Sequence, residues 1–155
     1  VGTTKALLTF ERSALQSQPM VTIDIVYEGG LHCKITHRPS GTEITTDAPK
    51  DNMGKGESFS PTDLVAAALG SCMLTIMGIF ANRHGINLKG ARVEVIKEMV
   101  QSPERRIGKL TVSFTMPSGV PKSQREALER AALTCPVHKS LHLDIEIPLT
   151  FHYSD

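Results

Sequence analysis

The sequence predicts an α+β protein, and three observations carry that prediction. Several segments alternate apolar and polar residues with the period of two expected of half-buried strands. Between them lies a stretch of eighteen residues, 64–81, without one charged side chain. A second helical pattern follows late in the chain, before a last alternating segment. At 155 residues the chain fits a single domain, 1–155, with residues 3–17 as a short amphipathic helix in an N-terminal extension, 1–19.

Taken in order, residues 21–27 alternate as a strand, Glu28-Gly29-Gly30 forms the turn, and residues 31–36 return as its partner. Pro39-Ser40-Gly41 is a second turn before a third strand at 42–46, which makes an antiparallel meander. The polar loop 48–58 contains Gly54-Lys55-Gly56-Glu57-Ser58, which lacks the spacing and the Gly-Lys-Ser/Thr ending of a phosphate loop. Ser60-Pro61-Thr62-Asp63 then carries a helix start: a serine N-cap, a proline at the first helical position and a carboxylate at the third. That helix runs to Arg83, with Gly85 as its stop.

Residues 88–100 and 107–116 read as two long strands joined by Ser102-Pro103-Glu104. Pro121 opens a second helix with Leu128, Ala131, Ala132 and Leu133 on its apolar side. Thr134-Cys135-Pro136 interrupts it, residues 137–141 resume as a short helix, and 144–153 close the chain as a strand.

Composition excludes several classes of function. Seventeen basic residues stand against sixteen acidic ones, interspersed, so no stripe exists to attract nucleic acid or an anionic membrane. Tryptophan is absent, which removes the usual base-stacking platform. No charged segment followed by an apolar stretch opens the chain, so no secretory signal is expected. Three isolated cysteines, Cys33, Cys72 and Cys135, cannot make a disulfide framework, and the expected location is cytoplasmic.

The charge-free run admits two readings, a membrane span or a helix buried on all sides. Ser71, Thr75, two glycines and four alanines make a poor span, and the evenly charged, strand-rich remainder favours burial. One small sheet covers only one face of such a helix. Ala66, Ala67, Gly70 and Ser71 form a small-residue patch onto which the same helix of a second chain could pack, which implies an obligate homodimer. Cys72 sits mid-helix, where a cysteine is ordinarily a small core residue. Cys135 precedes Pro136 and can cap the short helix, where helix-terminal N–H groups should lower its pKa. Cys33, on the returning strand, reads as structural.

Two segments resemble the signatures of one family. Ser60-Pro61-Thr62-Asp63-Leu64-Val65-Ala66-Ala67-Ala68-Leu69-Gly70-Ser71-Cys72 is similar to the first signature of the OsmC/Ohr proteins, osmotically induced and organic hydroperoxide resistance proteins. Thr134-Cys135-Pro136-Val137-His138-Lys139-Ser140-Leu141 is similar to the second, at the family's separation, and the resemblance covers about residues 20–153. It implies an intertwined homodimer in which antiparallel sheets enclose two long central helices. It also implies a thiol peroxidase without metal or other cofactor. Cys72 would be oxidised by a hydroperoxide to a sulfenic acid, and Cys135 would resolve it as a disulfide. A dithiol, in this family often a lipoyl group on a protein, would restore both thiols. The better-known members carry glutamate directly after the proline of the first signature; here Thr62 stands there and Asp63 follows. They also use an arginine just after paired glycines, whereas Leu31 and His32 follow Gly29-Gly30 and Arg38 is a loose substitute. The chain thus resembles a divergent branch of the family.

Asp63 and Cys72 are nine residues apart on one helix, roughly 13–14 Å. If Asp63 tunes the Cys72 thiolate, it must do so from the antiparallel helix of a partner. The other readings are a non-enzymatic small-ligand-binding or redox-sensing dimer on the same fold, and zinc binding through Cys135, His138 and His142. For His138 and His142 the plain expectation is a partly exposed helix face.

Overall fold

The computed structural model describes residues 20–154, so the expected helix at 3–17 lies outside the described residues. The described residues divide into two compact units, one up to Thr46 and one from Asp47 onward.

The first unit is a three-stranded sheet in the order β1 (Ile23–Gly29), β2 (His32–His37), β3 (Thr42–Asp47). β1 and β2 pair antiparallel, with Ile25 opposite Ile35 and Tyr27 opposite Cys33. Gly29 pairs with His32, leaving Gly30 and Leu31 as a two-residue turn at φ 58° and 67°. Both residues are left-handed, as the tightest hairpin turns require. Leu31, which follows the paired glycines, is therefore a turn residue.

The second unit is built around α1 (Pro61–Arg83), the helix that the Ser60 start signal and Gly85 stop delimit. It packs on one face of a sheet ordered β4 (Arg92–Val100), β5 (Arg106–Met116), β6 (Leu149–Tyr153), and against α2 (Lys122–Ala132) and α3 (Pro136–Ser140). β4 and β5 are antiparallel, and alternation sets their faces. Val93 lies opposite Phe114, Val95 opposite Val112 and Lys97 opposite Leu110, all turned toward α1. Leu110, Val112, Phe114 and Met116 form the floor of the core under Leu69, Met73 and Met77 of α1. Phe114 pairs with Phe151 and their rings stack at 4.6 Å.

β6 runs parallel to β5, not antiparallel as expected. The reason is the connection: α2 and α3 carry the chain back across the helix layer, and a crossover of that kind returns a strand in its starting direction. β6 is also shorter than the expected 144–153. Pairing begins at Glu146, whose N–H donates to Gly108 and whose carbonyl accepts from Leu110. Pro148 has no N–H, and the regular strand begins only at Leu149.

α1 is less enclosed than its composition suggests. Only Ala66, Leu69, Gly70, Met73, Met77 and Ala81 are buried, one face at helical spacing. Gly70 lies so close to the sheet that a β-carbon there would sit 3.0 Å from Val95 and 3.2 Å from Val93. Half of the small-residue patch, Ala66 and Gly70, is thus used inside the chain. Ala67, Ala68, Ser71, Thr75 and Ile79 remain exposed as an uncharged stripe.

Candidate active site

The site is assembled where α3 meets α1. Cys135 caps α3: its Sγ accepts from the His138 N–H at 3.5 Å, and Pro136 takes the first helical position. Cys135 is fully buried. Its thiol neighbours that of Cys72 on α1 within one hydrophobic core, and both cysteines are reduced. Two residues 63 positions apart are thus joined by tertiary packing (135 − 72 = 63).

The expected fall in the Cys135 pKa does not occur; the pKa is raised. Burial is the largest cause and the neighbouring Cys72 thiol adds to it, while the amides of His138 and Val137 pull the other way without prevailing. A helix of five residues offers few donors to offset desolvation.

Asp63 is on the other side of α1. At about 100° per residue, nine residues place it half a turn from Cys72. Its carboxylate completes a capping box, accepting from the Ser60 N–H at 2.7 Å while Ser60 Oγ accepts from the Asp63 N–H at 3.1 Å. Lys97, from the inner face of β4, reaches the same place. Its ammonium lies 2.5 Å from Asp63 Oδ1, 2.8 Å from Thr62 Oγ1 and 3.3 Å from Ser60 Oγ. Thr62, which follows the proline of the first signature segment, thus belongs to this cluster. Burial acts to raise the Asp63 pKa, but the Lys97 hydrogen bond and the Ser60 donors outweigh it and hold the carboxyl below its ordinary value. The pair closes one end of an open cleft of about 1000 Å³ that runs along α1 past Phe59, Ala66, Gly70 and Val95.

A depressed carboxylate stabilises the fold only while it is ionised in the native state. The contribution is present above the unfolded-state pKa of about 3.9 and disappears as pH falls through the lower native value. Asp63→Asn should therefore cost about 1 kcal/mol at pH 7, a figure discounted for the exposure of the carboxylate. The difference from wild type should shrink below about pH 4. Urea unfolding at pH 7 and pH 3.5 checks both; an equal cost at the two pH values would mean that charge plays no part.

Arg38 follows β2 and makes a two-pronged ion pair with Asp24, at 2.5 and 2.9 Å, on the exposed surface of the first unit. Cys33 is half-buried on β2. His142 is engaged by Asp144, whose N–H lies 3.2 Å from the ring Nδ1 and whose carboxylate is 3.5 Å away. Among the described residues, the donor atoms of Cys135, His138 and His142 do not gather within 4.8 Å, so no zinc site forms from them. His138 is partly exposed, as expected, but its ring Nδ1 is buried and has no hydrogen-bond partner.

Two features escaped sequence reasoning. Lys97 had a signal, because alternation puts it on the same strand face as Val93 and Val95, where an isolated lysine needs a partner. The buried His138 nitrogen had none.

A family model described as OsmC-like protein matches residues 54–150. The chain belongs to the OsmC-like family. Among solved structures, one from Psychrobacter arcticus is 43% identical, covering 89% of this chain and 100% of its own, with a TM-score of 0.81. It carries the provisional description of an osmotic stress induced and detoxification response protein. The organic hydroperoxide resistance protein OsmC of Legionella pneumophila shares the fold at 17% identity and a TM-score of 0.72, over 88% of this chain and 99% of its own. An organic hydroperoxide resistance protein of Elizabethkingia anophelis does so at 17% and 0.72, over 90% and 100%. No curated protein gave a significant sequence match. In this OsmC-like chain both signature cysteines are present and belong to the same core.

Proposed function

We propose that the protein is a two-cysteine thiol peroxidase that reduces organic hydroperoxides, working as a homodimer. The observation that carries this reading is the pairing of Cys72 and Cys135 as neighbours: two reduced thiols from separate elements share one core, which a disulfide between the two signature segments requires. In the first step the Cys72 thiolate attacks the distal peroxide oxygen, the O–O bond breaks, and the alkoxide leaves as alcohol after taking a proton. Cys72 is then a sulfenic acid. Sulfur of Cys135 attacks it, an S–S bond replaces the S–O bond, and water departs. A dithiol reductant such as a lipoyl group returns both thiols by exchange.

The raised pKa of Cys135 supports this division of labour, since a protonated, buried thiol is a poor first nucleophile. Asp63, with Lys97 as the cation beside it, would act on the Cys72 thiolate of the second subunit, because it cannot reach Cys72 of its own helix. A second reading, a ligand-binding or redox-sensing dimer, draws on the open cleft along α1. Steady-state turnover of alkyl, lipid and hydrogen peroxides with dihydrolipoamide separates the two. The expected result is thiol-dependent turnover fastest with the organic peroxides; stoichiometric oxidation without turnover would favour the sensor.

A further inference from the structure

Cys135 is the joint between α2 and α3. Its N–H donates to the Ala132 carbonyl at the end of α2, at 3.2 Å, and its carbonyl accepts from the Lys139 N–H in α3, at 3.1 Å. Pro136 has no N–H, so the amides of α3 that still need an acceptor are those of Val137 and His138. Both turn to the Cys135 sulfur, which accepts from the His138 N–H at 3.5 Å. That cap matters because α3 has little else. It is five residues long with none of them buried, and a helix so short does not hold itself in water. Its other anchors are Val137 and, just beyond it, Leu141, which pack on the core.

The capping sulfur is also the one that a Cys72–Cys135 bridge consumes, so this inference rests on the cysteine pairing of the peroxidase reading. A disulfide fixes that sulfur against Cys72 on α1. It also removes the option of a thiolate, the form that accepts most strongly. Exchange with a dithiol then requires the attacking thiolate to reach a sulfur of the bridge, yet Cys135 has no solvent exposure in the reduced protein.

We propose that Cys135 makes α3 a redox-sensitive switch: closing the Cys72–Cys135 bridge withdraws the cap, α3 loosens, and the Cys135 sulfur opens to the dithiol reductant. The two thiols lose two electrons and two protons to the hydroperoxide, which becomes alcohol and water. The reductant returns two electrons and two protons and ends as its own disulfide, the cap re-forms, and the segment closes. The reductant thus meets an open site only on the oxidised protein.

The test compares the reduced protein with protein oxidised by diamide. Diamide takes the same two electrons and two protons onto its N=N bond and needs no peroxidase activity. Amide hydrogen exchange at Val137, His138 and Lys139 and tryptic cleavage after Lys139 are followed in both forms, with mass mapping of the bridge. Both rates should be about fivefold higher in the bridged form, the size of effect that losing one helix cap produces, while the amides of α1 keep their protection. Cys135→Ala, which has no capping atom, should show the fast pattern without oxidation. Cys135→Ser, whose oxygen caps and resists diamide, should stay slow under both conditions. Equal or slower α3 exchange in the bridged wild type would overturn the switch, as would failure of diamide to make the Cys72–Cys135 bridge. Turnover of cumene hydroperoxide by wild type separates the two readings. Turnover with an unmoved α3 removes the switch alone; an α3 that loosens without turnover removes the peroxidase and leaves the switch.

Discussion

Cys72→Ser should abolish peroxide consumption, a loss of about 10³-fold or more, because the sulfur that attacks the O–O bond is gone and Cys135 is buried and protonated. Cys135→Ser should behave differently. It keeps the attacking thiol and should consume one equivalent of hydroperoxide, then stop with a sulfenic acid at Cys72. The two variants part at the first turnover, so a dimedone-type trap and mass mapping of one oxidised sample read both outcomes. In wild type the mapped bridge should be Cys72–Cys135, with Cys33 still reduced. Consumption by Cys72→Ser and none by Cys135→Ser would reverse the roles of the two thiols. A bridge through Cys33 would remove Cys135 from the mechanism.

The assignment of these roles shows where sequence and structure diverge. Local electrostatics favours Cys135 as the better thiolate, since it stands at a helix N-terminus and Cys72 stands mid-helix. That view counts two donors and omits what covers them. Folding buries Cys135 completely and sets a second thiol against it, and both effects act against ionisation. Helix-end donors are visible in a sequence because Pro136 marks the position. Desolvation is not, because it depends on packing from α1, more than fifty residues away in the chain.

Most elements of the second unit were otherwise legible for physical reasons that act locally, although β4 begins at Arg92 and not at residue 88, because residues 88–91 form a turn closed by the Ala91 N–H on the Leu88 carbonyl. The Ser60–Asp63 capping box and Gly85 place both ends of α1, and alternation of Val93, Val95 and Lys97 against Leu110, Val112 and Phe114 fixes the register of the β4–β5 ladder. The direction of β6 was not legible, since alternation reads the same for parallel and antiparallel strands. Lys97 stood in plain view on the inner strand face, but its partners lie 34 to 37 residues earlier at the start of α1. Only the fold shows that one ammonium holds Ser60, Thr62 and Asp63 together. Arg38 shows the converse. A residue chosen as a substitute for a family arginine is held in its own unit by Asp24.

The largest effect on the whole molecule should come from the exposed side of α1. This helix is long and apolar enough to cross a membrane, with a mean hydropathy of 2.1 over its most apolar window, yet only 33% of that window is buried within the chain. The inner face is satisfied by the sheet, so what is left uncovered is the continuous stripe Ala67, Ala68, Ser71, Thr75 and Ile79, small at one end and 43% exposed at Ile79. A contiguous uncharged helix face of this kind marks an interaction surface, and small side chains let a second helix approach closely. We expect the protein to sediment as a dimer of 16.9 kDa chains at every concentration where it is folded, with an unfolding midpoint that rises with protein concentration. Ser71→Arg should break it, because a charge buried without a partner costs about 3–5 kcal/mol, which is about 10²- to 10³-fold or more in dimer affinity. The same substitution should lower peroxidase turnover although Ser71 does not touch either thiol, since Asp63 and Lys97 could then no longer reach a neighbouring Cys72. A well-folded 16.9 kDa wild-type monomer at micromolar concentration would refute the dimer. A monomeric but fully active Ser71→Arg variant would show instead that each chain carries a complete site.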